Sequence, residues 1–155
     1  MTPSKLGSYF EEFVVGDIID HQLSKTIFES DNNFFSLLTM NHHPVHLNAD
    51  YSEKNQHGKI LVVGTLVFSL VVGITVPDVS GKAVANLNYE SVNHLGPVFV
   101  GDTIYAQTEV LGTRLSKSKP NVGIVRVKTI ARNQNNQEVL EFVRSVMIKK
   151  QSYEK

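Results

Sequence analysis

Apolar residues along this 155-residue chain change their spacing near position 80. Before that point they recur three or four positions apart, and after it they alternate with polar residues. The longest series of the first kind is Leu66, Val67, Leu70, Val71 and Ile74. Spacing of three and four is typical of one helix face, and alternation is typical of a half-buried strand. The pattern therefore predicts helices first and a sheet afterwards.

A central helix is predicted in the run from Ile60 to Val76, where 17 residues carry no charge. The many valines would also suit a strand, but an uninterrupted run of this length favours a helix that begins near Gly64. The run touches the shortest length that can span a bilayer, yet it contains small and polar residues and ends at Pro77. We therefore expect a helix buried in a folded core.

The second half of the chain predicts an antiparallel sheet. Strands are expected at 84–89, 103–111, 122–132 and 139–148, with an apolar link at 98–100 and a polar turn at 133–137. An earlier strand is expected from Ile18 to Phe28. One buried helix with about five strands is an α+β layout, in a single domain (1–155) with an ordered core from about residue 9 to 149.

A shorter helix is predicted after the first strand, with its N-cap at Ser30 or Asp31. Its apolar residues, at helical spacing, are Phe34, Phe35, Leu37 and Leu38. This helix should end near Thr39, because Pro44 disfavours helical dihedral angles in the residue before it. Irregular backbone is expected at 42–51.

Composition limits the classes of partner and the compartment. Fifteen basic and fifteen acidic residues cancel, so no broad field favours a nucleic acid or an anionic membrane. The chain has no cysteine, which excludes disulfides, thiolate metal sites and a cysteine nucleophile. No basic-then-apolar signal opens the chain, and together these features predict a cytoplasmic protein.

Candidate chemistry concentrates in the stretch 41–46, which holds three histidines around Pro44. Zinc needs three or four convergent ligands, and the proline breaks the spacing of these three, so no metal site is expected. His46 lies between aliphatic residues, which predicts a partly buried imidazole that acts as a base near neutral pH. The histidines expected to be structural or at the surface are His21, His42 and His94.

Three stretches resemble motifs of the MaoC-like, (R)-specific enoyl-CoA hydratases. Residues 34–49 resemble F-x-x-L-T-G-D-x-N-P-[LIV]-H-x-[DN], 62–69 resemble the A-H-G-x-L segment, and 97–103 resemble P-V-x-x-G-D-T. The similarity extends from about Tyr9 to Lys149. It implies the hotdog fold, in which a curved antiparallel sheet wraps a central helix, and a homodimer or higher homo-oligomer.

The resemblance also implies roles for individual residues. His46 takes the position of the family's catalytic histidine, and the backbone N–H of Gly64 would bind the thioester oxygen at the positive end of the helix dipole. Substrate contacts are expected from His43, Val63, Thr65 and Ser69. No cofactor is implied beyond the coenzyme A that the substrate carries.

Four positions depart from the family pattern. Met40 stands for Gly, Asn41 for Asp, His43 for Asn and Val63 for His. An amide holds a water molecule but cannot accept its proton. Either His46 serves as base and acid while Asn41 orients the water, or another side chain completes the pair, or hydration is lost. The alternative partners are His42, His43 and Asp31.

The phosphates of coenzyme A require local cations in a chain of zero net charge. Arg114, Lys117 and Lys119 share the polar loop 114–121 and are the candidates, although a solvated hairpin has the same composition. A second substrate carboxylate would need another cation, from among Arg114, Arg126 and Arg144.

The sequence predicts a hydro-lyase of the EC 4.2.1 type that reversibly hydrates a short enoyl-CoA, with branched and dicarboxylic acyl groups included. The Met40-Asn41 variant resembles hydratases of the mesaconyl- or itaconyl-CoA kind. Two alternatives stay open, namely a hotdog thioesterase and a non-catalytic acyl-CoA-binding or regulatory subunit, because a fold alone does not determine a function.

Overall fold

The structure, a computed structural model, describes residues 6–154. The helices within these residues are α1 (Glu29–Leu38), α2 (Pro44–Leu47), α3 (Ala49–Glu53) and α4 (Gly64–Ile74). The strands are β1 (Ile18–Asp20), β2 (Lys25–Thr26), β3 (Ala83–His94), β4 (Thr103–Leu115), β5 (Val122–Arg132) and β6 (Glu138–Lys149). Short 3₁₀ turns at Phe10–Glu12 and Gln151–Glu154 and a π-helical turn at Val76–Ser80 are also present.

The strands pair antiparallel in the order β1-β4-β5-β6-β3, and β2 also pairs with β4. Along β4 the predicted alternation is confirmed, since Ile104 and Thr108 are fully buried while Tyr105 is 48% exposed. Among the described residues β3 pairs with β6 alone, so its outer edge has no neighbouring strand. Unpaired edges of this length are sites where another strand can add.

The central helix predicted from Gly64 is confirmed as α4, and it packs on one face of the sheet. The helix residues in this core are Val67, Val71 and Ile74, and the sheet residues include Ile104, Ala131, Leu140 and Phe142. The α+β class is confirmed. No helix in residues 6–154 has both the length and the apolar composition needed to cross a membrane.

The single strand predicted from Ile18 to Phe28 is wrong, because residues 21–24 separate β1 from β2. These four residues lie opposite only two residues of β4. His21 turns inward there: its Nδ1–H donates to Asp78 Oδ2, and its Nε2 is hydrogen-bonded to Thr108 Oγ1, both at 2.7 Å. The buried ring breaks the strand and is structural, as predicted.

Helix α1 begins at Glu29 with Phe28 as its N-cap, so the predicted caps Ser30 and Asp31 are wrong. Asp31 still serves the helix start, because its carboxylate accepts the Phe28 N–H at 2.9 Å and a hydrogen bond from Lys25 Nζ at 2.7 Å. The hydrogen bond from Lys25 lowers the pKa of Asp31 below its usual value. Both contacts of the Asp31 carboxylate are therefore at the start of α1.

The burial of α1 is the reverse of what its apolar residues predict. Phe34, Leu37 and Leu38 are each more than half exposed, whereas Asn32 and Ser36 are buried. Asn32 is buried because its amide satisfies the His46 carbonyl and the Val63 N–H, which an aliphatic side chain cannot do. The buried Ser36 hydroxyl has no hydrogen-bond partner in residues 6–154.

The prediction of irregular backbone at 42–51 is also wrong, because α2 and α3 occupy most of this stretch. Pro44 occupies the first turn of α2, where its fixed φ and missing N–H are favourable. His43 is the N-cap, and its Nδ1 accepts the Val45 N–H at 3.2 Å. Pro44, which was expected only to limit α1, therefore also begins α2.

Candidate active site

His46 lies on α2, and its tautomer follows from one contact. Its Nδ1 is 2.7 Å from the carbonyl oxygen of Leu61, which can only accept, so Nδ1 carries the hydrogen. The neutral ring then has a free electron pair on Nε2. Leu61 in turn donates its N–H to the Val45 carbonyl at 3.1 Å, which ties α2 to the segment that leads into α4. A half-buried imidazole held in this way can serve as a general base.

Asn32 links His46 to the start of α4. Its Nδ2 donates to the His46 carbonyl at 3.1 Å, and its Oδ1 accepts the Val63 N–H at 2.9 Å. Asn32 is 1% exposed, so both hydrogen bonds are shielded from water. One buried amide therefore sets the position of the histidine-bearing turn relative to the residue before Gly64.

Gly64 is the first residue of α4, and His94 explains why it is glycine. A Cβ at position 64 would lie 3.0 Å from Cε1 and 3.2 Å from Nε2 of the His94 ring. The backbone of Gly64 does not have a positive φ, so the requirement is space and not conformation. Within residues 6–154, no hydrogen bond engages the N–H of Gly64 or of Thr65, as is usual for the first turn of a helix.

A pocket of about 320 Å³ opens at this end of α4. Its lining includes Gly64, Val67, His57, His94, Pro97 and Val98. The wall is mostly apolar, with two imidazoles and unbonded helix N–H groups as its polar features. A concave apolar site with few polar groups is the usual form of a small-molecule site.

Asn41 follows the C-terminus of α1, and its backbone N–H donates to the Ser36 carbonyl at 3.0 Å. Met40 lies between them with φ of 60°, a left-handed conformation in which glycine is normally found. Met40 therefore adopts a backbone conformation that favours glycine, the residue that the resembled motif has at this position. No hydrogen bond joins the half-buried Asn41 side chain to His46 or to another described residue.

The other predicted substrate contacts are distributed around α4 and α2. Val63 is buried, whereas Thr65 and Ser69 are exposed one turn apart on α4. The ring of His43 is 6.2 Å from the rings of both His46 and Tyr51. His42 is exposed, and no hydrogen bond, ion pair or ring contact involves it in residues 6–154.

The predicted phosphate-binding loop lies at the opposite end of the sheet from Gly64. His94 pairs with Leu140, which pairs with Ala131, whereas the β4–β5 hairpin closes at Gly123. Ala131 and Gly123 are eight residues apart along β5 (131 − 123), or about 26 Å at the rise of a strand. Arg114 and Lys117 line an open hollow at that end.

The two other candidate arginines differ sharply. Arg126 is exposed and forms two hydrogen bonds with Glu90, at 2.7 and 2.6 Å. Arg144 is 2% exposed, and no acidic side chain pairs with it in residues 6–154. Its Nη2 donates to Thr75 Oγ1 at 2.9 Å, its Nε has no partner, and burial lowers the pKa of its guanidinium. Arg144 therefore lies beneath the C-terminal end of α4.

The described residues contain no group of three His, Asp or Glu side chains arranged to hold a metal ion. The polar residues of the site that the sequence-based prediction of its members lacked are Asn32, His57 and His94. His94 was predicted to be structural or at the surface, and Asn32 was not singled out. The required glycine at 64 was the one local signal of a close neighbour, and it could not identify that neighbour as His94.

Comparison with known proteins is consistent with this geometry. A family model described as mesaconyl-CoA hydratase matches residues 2–154. The mesaconyl-CoA hydratase of Cereibacter sphaeroides is 34% identical over 144 residues, which cover 93% of this chain and 42% of that protein. The chain thus spans less than half the length of this curated relative.

Two solved structures share the architecture. A putative MaoC domain protein dehydratase from Chloroflexus aurantiacus has a TM-score of 0.91 and 31% identity, with 97% of this chain and 42% of that chain covered. A Mycobacterium tuberculosis protein described as a double hotdog fold has a TM-score of 0.82 and 25% identity, with 93% and 44% covered. The hotdog fold implied by the three motifs is confirmed.

Proposed function

The chain belongs to the mesaconyl-CoA hydratase family, and from this premise we propose that it is a hydro-lyase that reversibly hydrates a short α,β-unsaturated acyl-CoA thioester. Branched and dicarboxylic acyl groups are included, since a relative that is 34% identical bears the name mesaconyl-CoA hydratase. The observation that carries the proposal is the 2.7 Å bond from His46 Nδ1 to the Leu61 carbonyl, three residues before the unbonded N–H of Gly64. This contact holds the proposed base on α2 beside the segment that leads into the proposed oxyanion donor at the start of α4.

In the proposed reaction His46 Nε2 takes a proton from water as the water oxygen bonds to Cβ of the substrate. The π electrons of the C=C bond move to the thioester oxygen, where the Gly64 N–H and the positive end of the α4 dipole stabilise the charge. The enolate then collapses and takes the proton from His46 at Cα. No proton is gained or lost overall, and no metal or cofactor beyond coenzyme A is needed.

Asn41 is proposed to hold the attacking water, since an amide can donate and accept hydrogen bonds but cannot take the proton. Asn41→Asp should stay active, with an altered pH profile, because a carboxylate can hold the water and also accept its proton. Initial rates of hydration across the pH range check this. A folded but inactive Asn41→Asp protein would show that the amide is required as an amide.

The substrate assay uses crotonyl-, mesaconyl- and itaconyl-CoA with two readouts, loss of the conjugated absorbance and release of free thiol. We expect loss of absorbance without thiol release. Thiol release without hydration would instead indicate the thioesterase. Binding without either reaction would indicate the non-catalytic subunit.

We also propose a homodimer or higher homo-oligomer, in a cytoplasmic protein. The outer edge of β3 is long, and its exposed apolar residues are Val84, Leu87, Tyr89 and Val92. Antiparallel addition of a second copy along β3 would bury them. A cysteine-free sequence supports the reducing compartment.

This arrangement also gives the distant cations a role. When two sheets meet antiparallel along β3, the hairpin end of one copy lies on the same side as the Gly64 end of the other. We propose that Arg114, Lys117 and Lys119 serve the phosphates of coenzyme A bound at the partner copy's Gly64.

A complementation test distinguishes shared from separate sites. His46→Ala protein is mixed with a variant that carries Arg114, Lys117 and Lys119 all changed to Ser, and subunits are allowed to exchange. In a mixed dimer the intact His46 of one copy would face intact cations of the other, so low-KM activity should return. If the cations act within their own chain, mixing would restore nothing.

A further inference from the structure

The imidazole of His94 lies against Gly64, at the mouth of the pocket that both residues line. We infer that His94 is a second hydrogen-bond donor to the thioester oxygen of the substrate, beside the Gly64 N–H. The inference rests on the proposed function, because it places a substrate thioester at this end of α4. It adds a catalytic residue at a position where the sequence predicted a structural or surface histidine.

The geometry carries the assignment. Three ring atoms of His94 lie within 3.0 to 3.4 Å of the point that a Cβ of residue 64 would occupy. At the helical φ of a residue in the first turn, the N–H bond and the Cα–Cβ bond lie on the same side of the backbone. An oxygen bound to the Gly64 N–H would therefore lie beside the His94 ring.

The hydrogen-bonding capacity of the ring is also available. No hydrogen bond or ion pair engages His94 within residues 6–154, unlike His21 and His46, whose rings are tied to protein groups. A neutral imidazole always carries one N–H donor, so His94 need not be charged to act. Tertiary position, and not the local sequence, brings it to α4: β3 runs along the sheet and ends at His94, opposite Leu140.

Chemistry gives such a donor a specific use. During hydration the developing negative charge is concentrated on the thioester oxygen. One backbone N–H gives this charge only a single hydrogen bond, and a second donor would stabilise it further. In this chain the family's acidic residue is replaced by Asn41, so stabilisation of the enolate matters more. His94 gives up no proton in this step: it donates a hydrogen bond as the charge forms, while His46 carries the proton from water to Cα.

The test compares three variants in the intact protein. His94→Leu removes the donor and should lower kcat about 10²-fold with a smaller change in KM, the size of effect expected for one oxyanion donor. His94→Gln keeps an N–H near the position of Nε2 and should recover much of the loss. Asn93→Leu, at the exposed residue that precedes His94 on β3, is the control and should behave as wild type.

A second readout is independent of turnover. Butyryl-CoA labelled with ¹³C at the thioester carbonyl cannot be hydrated, and hydrogen bonds to its oxygen lower the carbonyl stretching frequency in infrared difference spectra. We expect a clear downshift in wild type, a smaller one in His94→Leu and an intermediate one in His94→Gln. An identical spectrum in wild type and His94→Leu, or an unchanged kcat in that variant, would overturn the role of His94.

The two proposals fail in different ways. Wild-type protein that binds butyryl-CoA with the downshift but hydrates no enoyl-CoA would overturn the hydratase and leave His94 as a thioester-binding residue. Wild-type protein that hydrates enoyl-CoA while His94→Leu is equally active would leave the hydratase and remove His94. Wild-type protein that binds no acyl-CoA would overturn both.

Discussion

The two ends of α4 are built in opposite ways. At the N-terminal end, the N–H groups of Gly64 and Thr65 have no hydrogen-bond partner in residues 6–154, and a pocket opens beside them. At the C-terminal end, the Thr75 hydroxyl donates to the Val72 carbonyl at 2.7 Å and accepts from buried Arg144 at 2.9 Å. One end is left for a ligand, and the other is closed by the protein.

The helix dipole explains why the two ends differ. The N-terminus carries partial positive charge and the C-terminus partial negative charge. A resident cation, Arg144, satisfies the negative end, although burial lowers the pKa of its guanidinium. No carboxylate in residues 6–154 accepts a hydrogen bond from the N–H groups of Gly64 or Thr65, so the positive end is available for an anion that forms only during a reaction. The difference identifies the end at which chemistry is expected before any ligand is seen.

The largest predicted effect is at the open end. His46→Ala should lower kcat for hydration about 10³-fold, because it removes the base that activates water. Its midpoint of urea unfolding should change little, since His46 is only half-buried. Asn33→Ala, at an exposed residue of α1, is the control and should keep full activity. A fully active His46→Ala protein would remove His46 from the mechanism.

Substitutions at the C-terminal end of α4 should change the stability of the protein and not its catalysis. Arg144→Ala should lower the free energy of unfolding by about 3 kcal/mol, because it leaves a cavity and removes the charge from the helix C-terminus. Arg144→Met keeps most of the volume and should lose less, about 1–2 kcal/mol. Urea denaturation measures both variants. If Arg144→Met lowered kcat of the folded protein while its stability was unchanged, the two ends would not be functionally distinct.

Substitution of Asn32 tests whether α2 must be held in position against the N-terminal end of α4. Asn32→Leu leaves the His46 carbonyl and the Val63 N–H without their partner, which should cost about 1–3 kcal/mol of unfolding free energy. It should also lower kcat/KM, because α2 and the start of α4 are no longer tied together. Asn33→Leu is the control, since Asn33 is the next residue and is exposed. Equal stability and activity in both variants would contradict the positioning role.

Two glycines of the same helix provide the finest comparison. Gly64→Ala places a Cβ 3.0 Å from the His94 ring and should lower kcat about 10-fold, because His94 must move. Gly73→Ala meets no atom within 4 Å and should raise the unfolding free energy by about 0.5–1 kcal/mol without changing activity. Activity assays and urea denaturation separate these outcomes. Unchanged kcat in Gly64→Ala would show that the space beside Gly64 is not used.

Part of the fold could be predicted because it depends on local spacing. The start of α4 at Gly64 and strand β5 at Val122–Arg132 were predicted at their observed positions, since one run carries no charge and the other is bounded by turn residues. The burial of α1 could not be predicted in this way. Asn32 is buried because it bonds the His46 carbonyl and the Val63 N–H, and those groups belong to other segments of the chain.

The sequence by itself determined the family, the α+β class and the residues on which the proposal of hydration depends, His46, Asn41 and Gly64. It did so because motifs and periodicity are properties of neighbouring residues. Only the tertiary structure brought His94 to Gly64, tied His46 to α4 through Asn32, and buried Arg144 beneath Thr75. The physical reason is that these contacts join residues 30 or more positions apart or depend on a buried polar atom. The spacing of residues along the chain does not show which distant polar groups must bond to one another.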